Sequence, residues 1–258
     1  MNPRIFLLAM LSGVSFPIVR AQIGAPLFEE TFNESRSGLR LANGASLGGP
    51  GTGVSGKLAD RAYISTPRST EQEPGGPAAL AVEPVAPRSM SAFTCVFWYF
   101  LEENTPDLQV IADTAGVSIL MHRKGFEVRV ASSQEGVRQH QFLPGVRGPL
   151  LDWTTPGRWI FAAFTWEQAE NALTIQQGTP ARPAVFMRKM TRPVPTTPTW
   201  PRDNLDRLPE TLGNTYTKQD RPLAGRLDNF RFFDRVINQA ELEQIRQADL
   251  ENKPLAPR

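Results

Sequence analysis

The sequence predicts an all-β protein, a sandwich of two antiparallel sheets followed by one short α-helix near the C-terminus. Short β-rich runs recur along the chain with turn signals about every ten residues, a spacing typical of sandwich strands. The 20 Gly and 23 Pro residues separate these runs and do not gather in one low-complexity tract. No long helical pattern precedes Asn238. At 258 residues the chain is long enough to bury one complete core.

The first 21 residues are predicted to be a secretory signal peptide. Arg4 gives a positive start, residues 5–19 are mostly apolar, and Ala21 is small at a position that signal peptidase reads. The apolar run is too short to span a bilayer, so an uncleaved anchor is the less favoured alternative. We therefore predict a signal peptide over residues 1–21, one β-sandwich domain over residues 22–258, secretion, and no membrane insertion after cleavage.

Charge and cysteine content narrow the classes of partner. Lys and Arg number 28 against 26 Asp and Glu, and loss of Arg4 and Arg20 with the signal peptide makes the two counts equal. No stretch is dense in Lys or Arg, so nucleic acid and anionic membranes are not expected partners. Cys95 is the only cysteine and lies in an apolar run, which predicts a buried thiol and excludes an intramolecular disulfide.

The N-terminal third is predicted to hold two short strands between loops. Residues 27–32 read as a first strand, followed by a turn over residues 33–38. Residues 43–57 are rich in glycine and are predicted to be loop, and a short strand is predicted around residues 62–65. Residues 67–87 contain five prolines, which favours an irregular surface connection.

Two central strands and a hairpin are predicted next. Residues 91–101 are apolar on both faces, which is typical of a central strand. Residues 159–166 follow a Pro-Gly turn and are predicted to form the second central strand, which should pair with residues 173–177. Its Trp159 is expected to fill the space between the sheets, together with Phe93 and Phe230.

Between the central strands, the sequence predicts a strand over residues 110–113 and then a hairpin. Its two strands, residues 117–122 and 126–131, each alternate apolar with polar side chains across a Lys-Gly turn. This pattern predicts one buried face, with His122 on the polar side.

The C-terminal region has the best-defined local pattern. A strand opens on Gly225, carries Asp228 and runs out through aromatic residues. A helix follows over residues 239–249, with Asn238 as N-cap and Glu241 at the capping-box position. Its apolar side is formed by Leu242, Ile245 and Leu250.

This order of strand, acid, aromatic residues and capped helix resembles the C-terminal signature of laminin-G-like jelly-roll domains, in the concanavalin A-like lectin/glucanase superfamily. The opening strand with its glycine turn and the tryptophan-led strand at Trp159 are also similar to that family. The resemblance implies a jelly-roll topology and extracellular recognition. It also implies a possible structural Ca²⁺ ion, with Asp228 as one ligand and Glu30 and Asn33 as further oxygen donors. The alternative is that Asp228 only accepts hydrogen bonds from loop backbone.

Catalytic machinery is not predicted. Glucanases of this superfamily carry clustered acids on a central strand, whereas residues 91–101 and 159–166 contain no acid. His140 lacks the spacing and the arginine-rich partner strand of alginate-lyase-like sandwiches, and no His/Cys cluster suits zinc. A divergent glycosidase or lyase would need two acids from different strands, for instance from Glu102, Asp113 and Glu127.

The long loop between residues 191 and 211 is the candidate ligand-binding segment. It carries Trp200, Arg202, Asp203 and Asn204, an aromatic ring framed by polar side chains that suits a sugar. The alternative is that Trp200 pins the loop to the sandwich. We predict a non-catalytic module that binds carbohydrate, and as the alternative an adhesion module that contacts extracellular proteins.

Overall fold

The computed structural model describes residues 23–33, 39–66, 75–81, 90–102, 108–114, 117–122, 125–131, 138–144, 155–170, 172–191, 211–215 and 219–255. Within these residues the chain forms fifteen strands and one helix, which confirms the predicted all-β class. The strands are β1 Phe28–Glu30, β2 Leu39–Ala42, β3 Ser46–Leu47, β4 Tyr63–Ser65, β5 Ala78–Ala81, β6 Ala92–Leu101, β7 Leu108–Thr114, β8 Val117–His122, β9 Gly125–Ala131, β10 Arg138–Pro144, β11 Trp159–Glu167, β12 Ala172–Thr179, β13 Arg182–Thr191, β14 Thr211–Leu212 and β15 Gly225–Phe233. The helix is α1, Gln239–Leu250.

The strands form two antiparallel sheets. Sheet A has eight strands in the order β13-β12-β11-β6-β15-β4-β3, with β1 paired to β15. Sheet B has seven strands in the order β10-β9-β8-β7-β14-β5-β2. This is the two-sheet jelly-roll sandwich of concanavalin A-like type that the sequence predicts. The described part of the chain contains no helix long and apolar enough to cross a bilayer.

Aromatic side chains fill the space between the sheets. The Phe97 ring stacks on Phe164 and on Phe230, with centroid separations of 5.9 Å in both pairs. Phe93 stacks on Phe232 at 5.5 Å. Ring pairs of this kind contribute about 0.5–1.5 kcal/mol beyond their burial. Cys95 is buried in the same core, as predicted.

Helix α1 covers the outer face of sheet A and builds a second, smaller core. Leu242 and Ile245 of the helix pack with Val96, Trp98 and Phe161 of the sheet. The predicted capping box is confirmed, because the Asn238 side chain accepts the Glu241 N–H and the Glu241 carboxylate accepts the Asn238 N–H. The helix therefore has a fixed start directly after β15.

Removing the cap should weaken the fold measurably. Asn238→Ala is expected to lower the free energy of unfolding by about 1 kcal/mol, since one N–H in the first turn loses its acceptor. Asn238→Ser keeps an acceptor and should stay within about 0.5 kcal/mol of the natural protein. Urea unfolding followed by circular dichroism measures both, and equal losses in the two variants would contradict the capping role.

Six of the strands were not predicted, namely β2, β3, β5, β10, β13 and β14. β5 lies inside residues 67–87, so the prediction of an irregular connection is wrong there, although residues 67–74 and 82–87 lie outside the described residues. Pro77 directly precedes β5, where its missing N–H does not interrupt the strand. β10 and β13 are the edge strands of the two sheets, and edge strands carry weak hydrophobic alternation. β3 is a further short strand inside the predicted loop of residues 43–57.

The two central strands and the hairpin agree with prediction in partners and in buried faces. β6 and β11 pair with each other in the middle of sheet A, and β12 pairs with β11. Val117, Ile119 and Met121 of β8 belong to the main core, which confirms a hairpin with one buried face.

The position of Trp159 differs from the expectation that this residue fills the space between the sheets. Its alternating neighbours Ile160 and Ala162 belong to the main core, so Trp159 lies half-buried on the outer face of sheet A. Trp166, at the far end of the same strand, is the tryptophan of β11 that packs between the sheets.

Candidate functional site

The outer face of sheet B carries a cross-strand row of residues that are polar except for Leu80. The antiparallel register aligns Arg40 with Leu80, Leu80 with Thr211, Thr211 with Asp113, and Asp113 with Ser118. The backbone register continues through Arg129 and His140 on the last two strands.

The centre of this face is apolar and buried. Val110 and Leu120 pair across β7 and β8, point away from the core, and are only 1% exposed. Leu80 is 4% exposed and Thr211 is fully buried. These outward-facing side chains are shielded from solvent, so the centre of this face is not a flat solvent-exposed surface. We call it the sheet B recess, defined by Leu80, Val110, Asp113, Ser118, Leu120, His122 and Glu127.

Two hydrogen-bonded polar pairs lie in the sheet B recess. The Ser118 hydroxyl donates to Asp113 Oδ1 at 2.6 Å. His122 Nε2 lies 3.0 Å from Glu127 Oε2. All four side chains are half-buried or buried, so the recess offers oriented donors and acceptors in a partly dehydrated place.

The three acids considered for catalysis do not form a close pair. Glu102 lies at the end of β6 in sheet A, where it binds Arg226. Asp113 and Glu127 share the outer face of sheet B, but they bind Ser118 and His122, which are four residues apart on β8. Four residues of a strand span about 13 Å. The carboxyl groups therefore lean apart, whereas a retaining glycosidase holds its two carboxyl groups about 5 Å apart.

The four residues predicted to bind ligand, Trp200, Arg202, Asp203 and Asn204, lie outside the described residues. Their role stays a prediction. The residues of the sheet B recess were not predicted as a site, although His122 was placed correctly on the polar side of its hairpin. The cross-strand register that aligns Asp113 with Ser118 and Thr211 is a long-range property with no short-range sequence signal.

Asp228, the predicted metal ligand, lies buried beneath the loop that precedes β4. Its Oδ2 accepts the Val54 N–H at 2.8 Å, and Oδ2 of the neighbouring Asp60 accepts the Ser55 N–H at 2.7 Å. The Oδ1 atoms of both buried carboxyl groups have no hydrogen-bond partner among the described residues. Burial raises the pKa of Asp228 well above its ordinary value, and the Asp60 carboxyl raises it further. Burial also raises the pKa of Asp60.

The other two predicted ligands have protein partners. Glu30 Oε1 accepts the Phe32 N–H at 2.6 Å. Asn33 Oδ1 accepts the Arg61 N–H at 2.9 Å, and its amide group donates to Asn252. The described residues contain no group of three or more His, Cys, Asp or Glu side chains placed to hold a metal. The orphaned oxygens of Asp228 and Asp60 suit a hard cation, and backbone or amide oxygens would have to complete its shell.

A buried ion network ties α1 to sheet A. Arg231 is 1% exposed, donates from Nε to Glu29 Oε1 at 2.8 Å, and places Nη1 2.8 Å from Asp249 Oδ1. Trp98 Nε1 donates to Asp249 Oδ2 at 2.9 Å. Burial is the main cause that raises the pKa of Asp249 to about 6. No short-range sequence pattern predicts this network, which joins β1, β6, β15 and α1.

Neither a protein family nor a curated protein matches the sequence. Solved structures do match. A candidate carbohydrate-binding protein from Bacteroides ovatus is 15% identical over 61% of this chain and 41% of its own, with a TM-score of 0.41. The CBM40 of a Ruminococcus gnavus IT-sialidase, bound to alpha2,6 sialyllactose, is 10% identical over 86% of this chain and 99% of its own, with a TM-score of 0.43. An arabinofuranosidase bound to arabinofuranosyl-alpha-1,2-xylobiose is 11% identical over 82% of this chain and 44% of its own, with a TM-score of 0.51.

These likenesses concern the fold alone. This chain spans less than half of the Bacteroides ovatus and arabinofuranosidase chains. The match to the arabinofuranosidase, over most of this chain, agrees with the two-sheet sandwich described above.

Proposed function

We propose that this chain is a secreted, non-catalytic, laminin-G-like module that binds carbohydrate in the sheet B recess. The observation that carries the proposal is the combination of an apolar floor with two hydrogen-bonded polar pairs on the outer face of one sheet. The loop of residues 191–211, with Trp200, would add an aromatic contact.

The chemistry of the recess suits a sugar. A pyranose presents hydroxyl groups around its rim and C–H groups on its faces. The half-buried Asp113 and Ser118 offer an acceptor and a hydroxyl for the rim, and Leu80, Val110 and Leu120 form the buried apolar layer next to them. Acidic and basic groups both occur on this face, so an uncharged or weakly charged glycan is favoured over a strongly ionic partner.

The arrangement of Asp113 and Glu127 supports a non-catalytic role. Asp113 and Glu127 are each held by a different residue of β8, so the described acids offer no general acid and nucleophile on opposite sides of one glycosidic bond. Turnover of any polysaccharide that Asp113→Asn or Glu127→Gln abolishes would contradict this role.

An adhesion role is the second candidate. Val185 and Phe186 on edge strand β13 are 40% and 56% exposed, and an exposed apolar pair on an edge strand can contact another protein. The double variant Val185→Ser with Phe186→Ser should bind sugar like the natural protein. If the natural protein bound an extracellular protein on an array and this variant did not, adhesion would be favoured.

The carbohydrate proposal is tested by isothermal titration against a panel of soluble neutral polysaccharides. At least one should bind, and Ser118→Ala with Asp113→Ala should weaken that binding by roughly tenfold to a hundredfold, the loss expected when a ligand loses charged hydrogen bonds. Arg182→Gln on sheet A is the control and should bind like the natural protein. Absence of binding across the panel would count against the proposal.

We further propose a structural Ca²⁺ ion held by Asp228 and Asp60, with Glu30 and Asn33 as candidate additional donors. The unpartnered, buried Oδ1 atoms support it. The ion would neutralise two buried carboxyl groups and fix the loop of residues 48–60 against β15.

Calcium at roughly 100 times its Kd is expected to raise Tm by about 5–10 °C over the chelated protein. Differential scanning calorimetry with calcium and with EDTA measures this shift. Asp228→Asn should remove the calcium response, while Asp234→Asn, at an exposed acid, should keep it. An identical Tm with calcium and with EDTA would contradict the site.

A further inference from the structure

We propose that the outer face of sheet A carries a second sugar-contacting surface, the aromatic strip, formed by Trp159, Phe100, Arg226 and Glu102. Its ligand is the ring of a neutral pyranose. The strip lies on the sheet opposite the sheet B recess, so this inference goes beyond the proposed function and would give the module two independent contact sites.

The register of sheet A places the strip beyond the end of the helix. Phe100 pairs with Trp159 on one side and with Arg226 on the other. Trp98, two residues before Phe100 and on the same face, is bonded to Asp249 near the C-terminal end of α1. The helix therefore covers Trp98 and the residues paired with it. Phe100 and its cross-strand partners Trp159 and Arg226 lie beyond the end of the helix and are half-buried.

The rings and the guanidinium group of the strip form a continuous contact surface. The Arg226 Cζ atom lies 4.7 Å from the centroid of the Phe100 ring. Phe100 and Trp159 meet edge to face, with centroids 5.6 Å apart and an interplanar angle of 62°. The rings thus form an angled corner, in which the C–H groups of a sugar face find aromatic carbon on two sides.

The polar end of the strip is suited to hydroxyl groups. Glu102 Oε1 accepts from Arg226 Nε at 3.3 Å and from Nη2 at 3.2 Å, and the two side chains are 49% and 30% exposed. A guanidinium group has five N–H donors, and a carboxylate has two acceptor oxygens, so both groups keep capacity for a ligand. The charges of the pair cancel, which favours a neutral polyhydroxyl ligand over an ionic one.

The strip can be changed without endangering the fold. Exposed ion pairs contribute little to stability, so Glu102→Gln and Arg226→Gln should fold normally. Both variants keep the aromatic rings and remove the charged hydrogen bonds to a ligand. They are therefore suitable probes of binding.

The experiment follows the Trp159 indole N–H resonance in ¹⁵N-labelled natural protein during titration with cellohexaose, xylohexaose and mannohexaose. The resonance is assigned by its absence from Trp159→Phe. It is expected to shift saturably with at least one probe, and Glu102→Gln and Arg226→Gln should weaken that binding roughly tenfold, as the loss of one charged hydrogen bond implies. Ser118→Ala, in the sheet B recess, should leave this titration unchanged.

The outcomes separate the two sites. A shift of the Trp159 resonance that persists in Ser118→Ala supports the strip even if the recess fails to bind. No shift with any probe, or equal affinity in Arg226→Gln and the natural protein, would overturn the strip while leaving the recess untouched. If the Trp159 resonance shifted with protein concentration and not with sugar concentration, the strip would be a contact between two copies of the chain. That result would also overturn the proposal.

Discussion

Replacement of Gly225 by alanine is expected to be among the most damaging single substitutions in the described part of the chain. Gly225 opens β15 with φ +157°, and a Cβ atom there would lie 2.0 Å from the Phe100 carbonyl oxygen. That oxygen belongs to the backbone of the central strand β6, so no side-chain rotation relieves the clash. The expected loss is more than about 3 kcal/mol in the free energy of unfolding, or failure to fold.

Urea unfolding followed by circular dichroism tests this prediction, with Gly49→Ala as the matched control. A Cβ atom at Gly49 would meet nothing within 4 Å, so the urea midpoint of Gly49→Ala should stay close to that of the natural protein. If the two variants unfolded at the same urea concentration, the packing of β15 on β6 described here would be wrong.

Arg231→Met is expected to destabilise the protein by about 3–5 kcal/mol at pH 8, because it leaves Asp249 buried without its cation. The matched control is Arg226→Met, on the same strand but in an exposed ion pair, which should lose less than about 1 kcal/mol. Urea unfolding of both variants at pH 8, in EDTA, measures the difference. Equal losses would show that Arg231 is not the buried partner of Asp249.

The same network predicts the pH dependence of stability. The pKa of Asp249 is about 6 in the folded chain and about 4 when unfolded, so folding favours the protonated form. Its contribution to stability is complete below about pH 4 and is lost as pH rises to about 6, a loss of about 3 kcal/mol. The raised pKa values of Asp60 and Asp228 act in the same direction.

In EDTA, these three groups should therefore make the natural protein less stable at pH 8 than at pH 5. The deficit of Arg231→Met should shrink at pH 5, where Asp249 takes up a proton in the variant. Equal urea midpoints of the natural protein at the two pH values would contradict the burial of these groups.

The fold could be predicted from the sequence because its strongest signals are local. The alternation of Val117, Ile119 and Met121 marks one face of a strand, and the N-cap of α1 needs only Asn238 and Glu241. β10 was missed because its run Arg138-Gln-His-Gln141 is polar, and β13 was missed because Arg188 and Lys189 follow its apolar residues and break the alternation.

The candidate sites depend on distant residues and were predicted only in part. Asp228 was identified through a family resemblance, but its neighbour Asp60 lies 168 positions away in sequence, and only the folded chain brings the two together. The same holds for Thr211 and Asp113, which meet across strands in sheet B. Trp159 was expected in the core, whereas it lies on the outer face of sheet A. Both faces of β11 are apolar, so the sequence pattern does not show which face points inward.

Carbohydrate binding in the sheet B recess can be tested by a map of backbone amide shifts during titration with the polysaccharide fragment that binds tightest. We expect the largest saturable shifts on β7, β8 and β9, around Asp113, Ser118 and Glu127, and smaller shifts in the double variant Ser118→Ala with Asp113→Ala. Saturable binding whose shifts leave these three strands unchanged would contradict the claim.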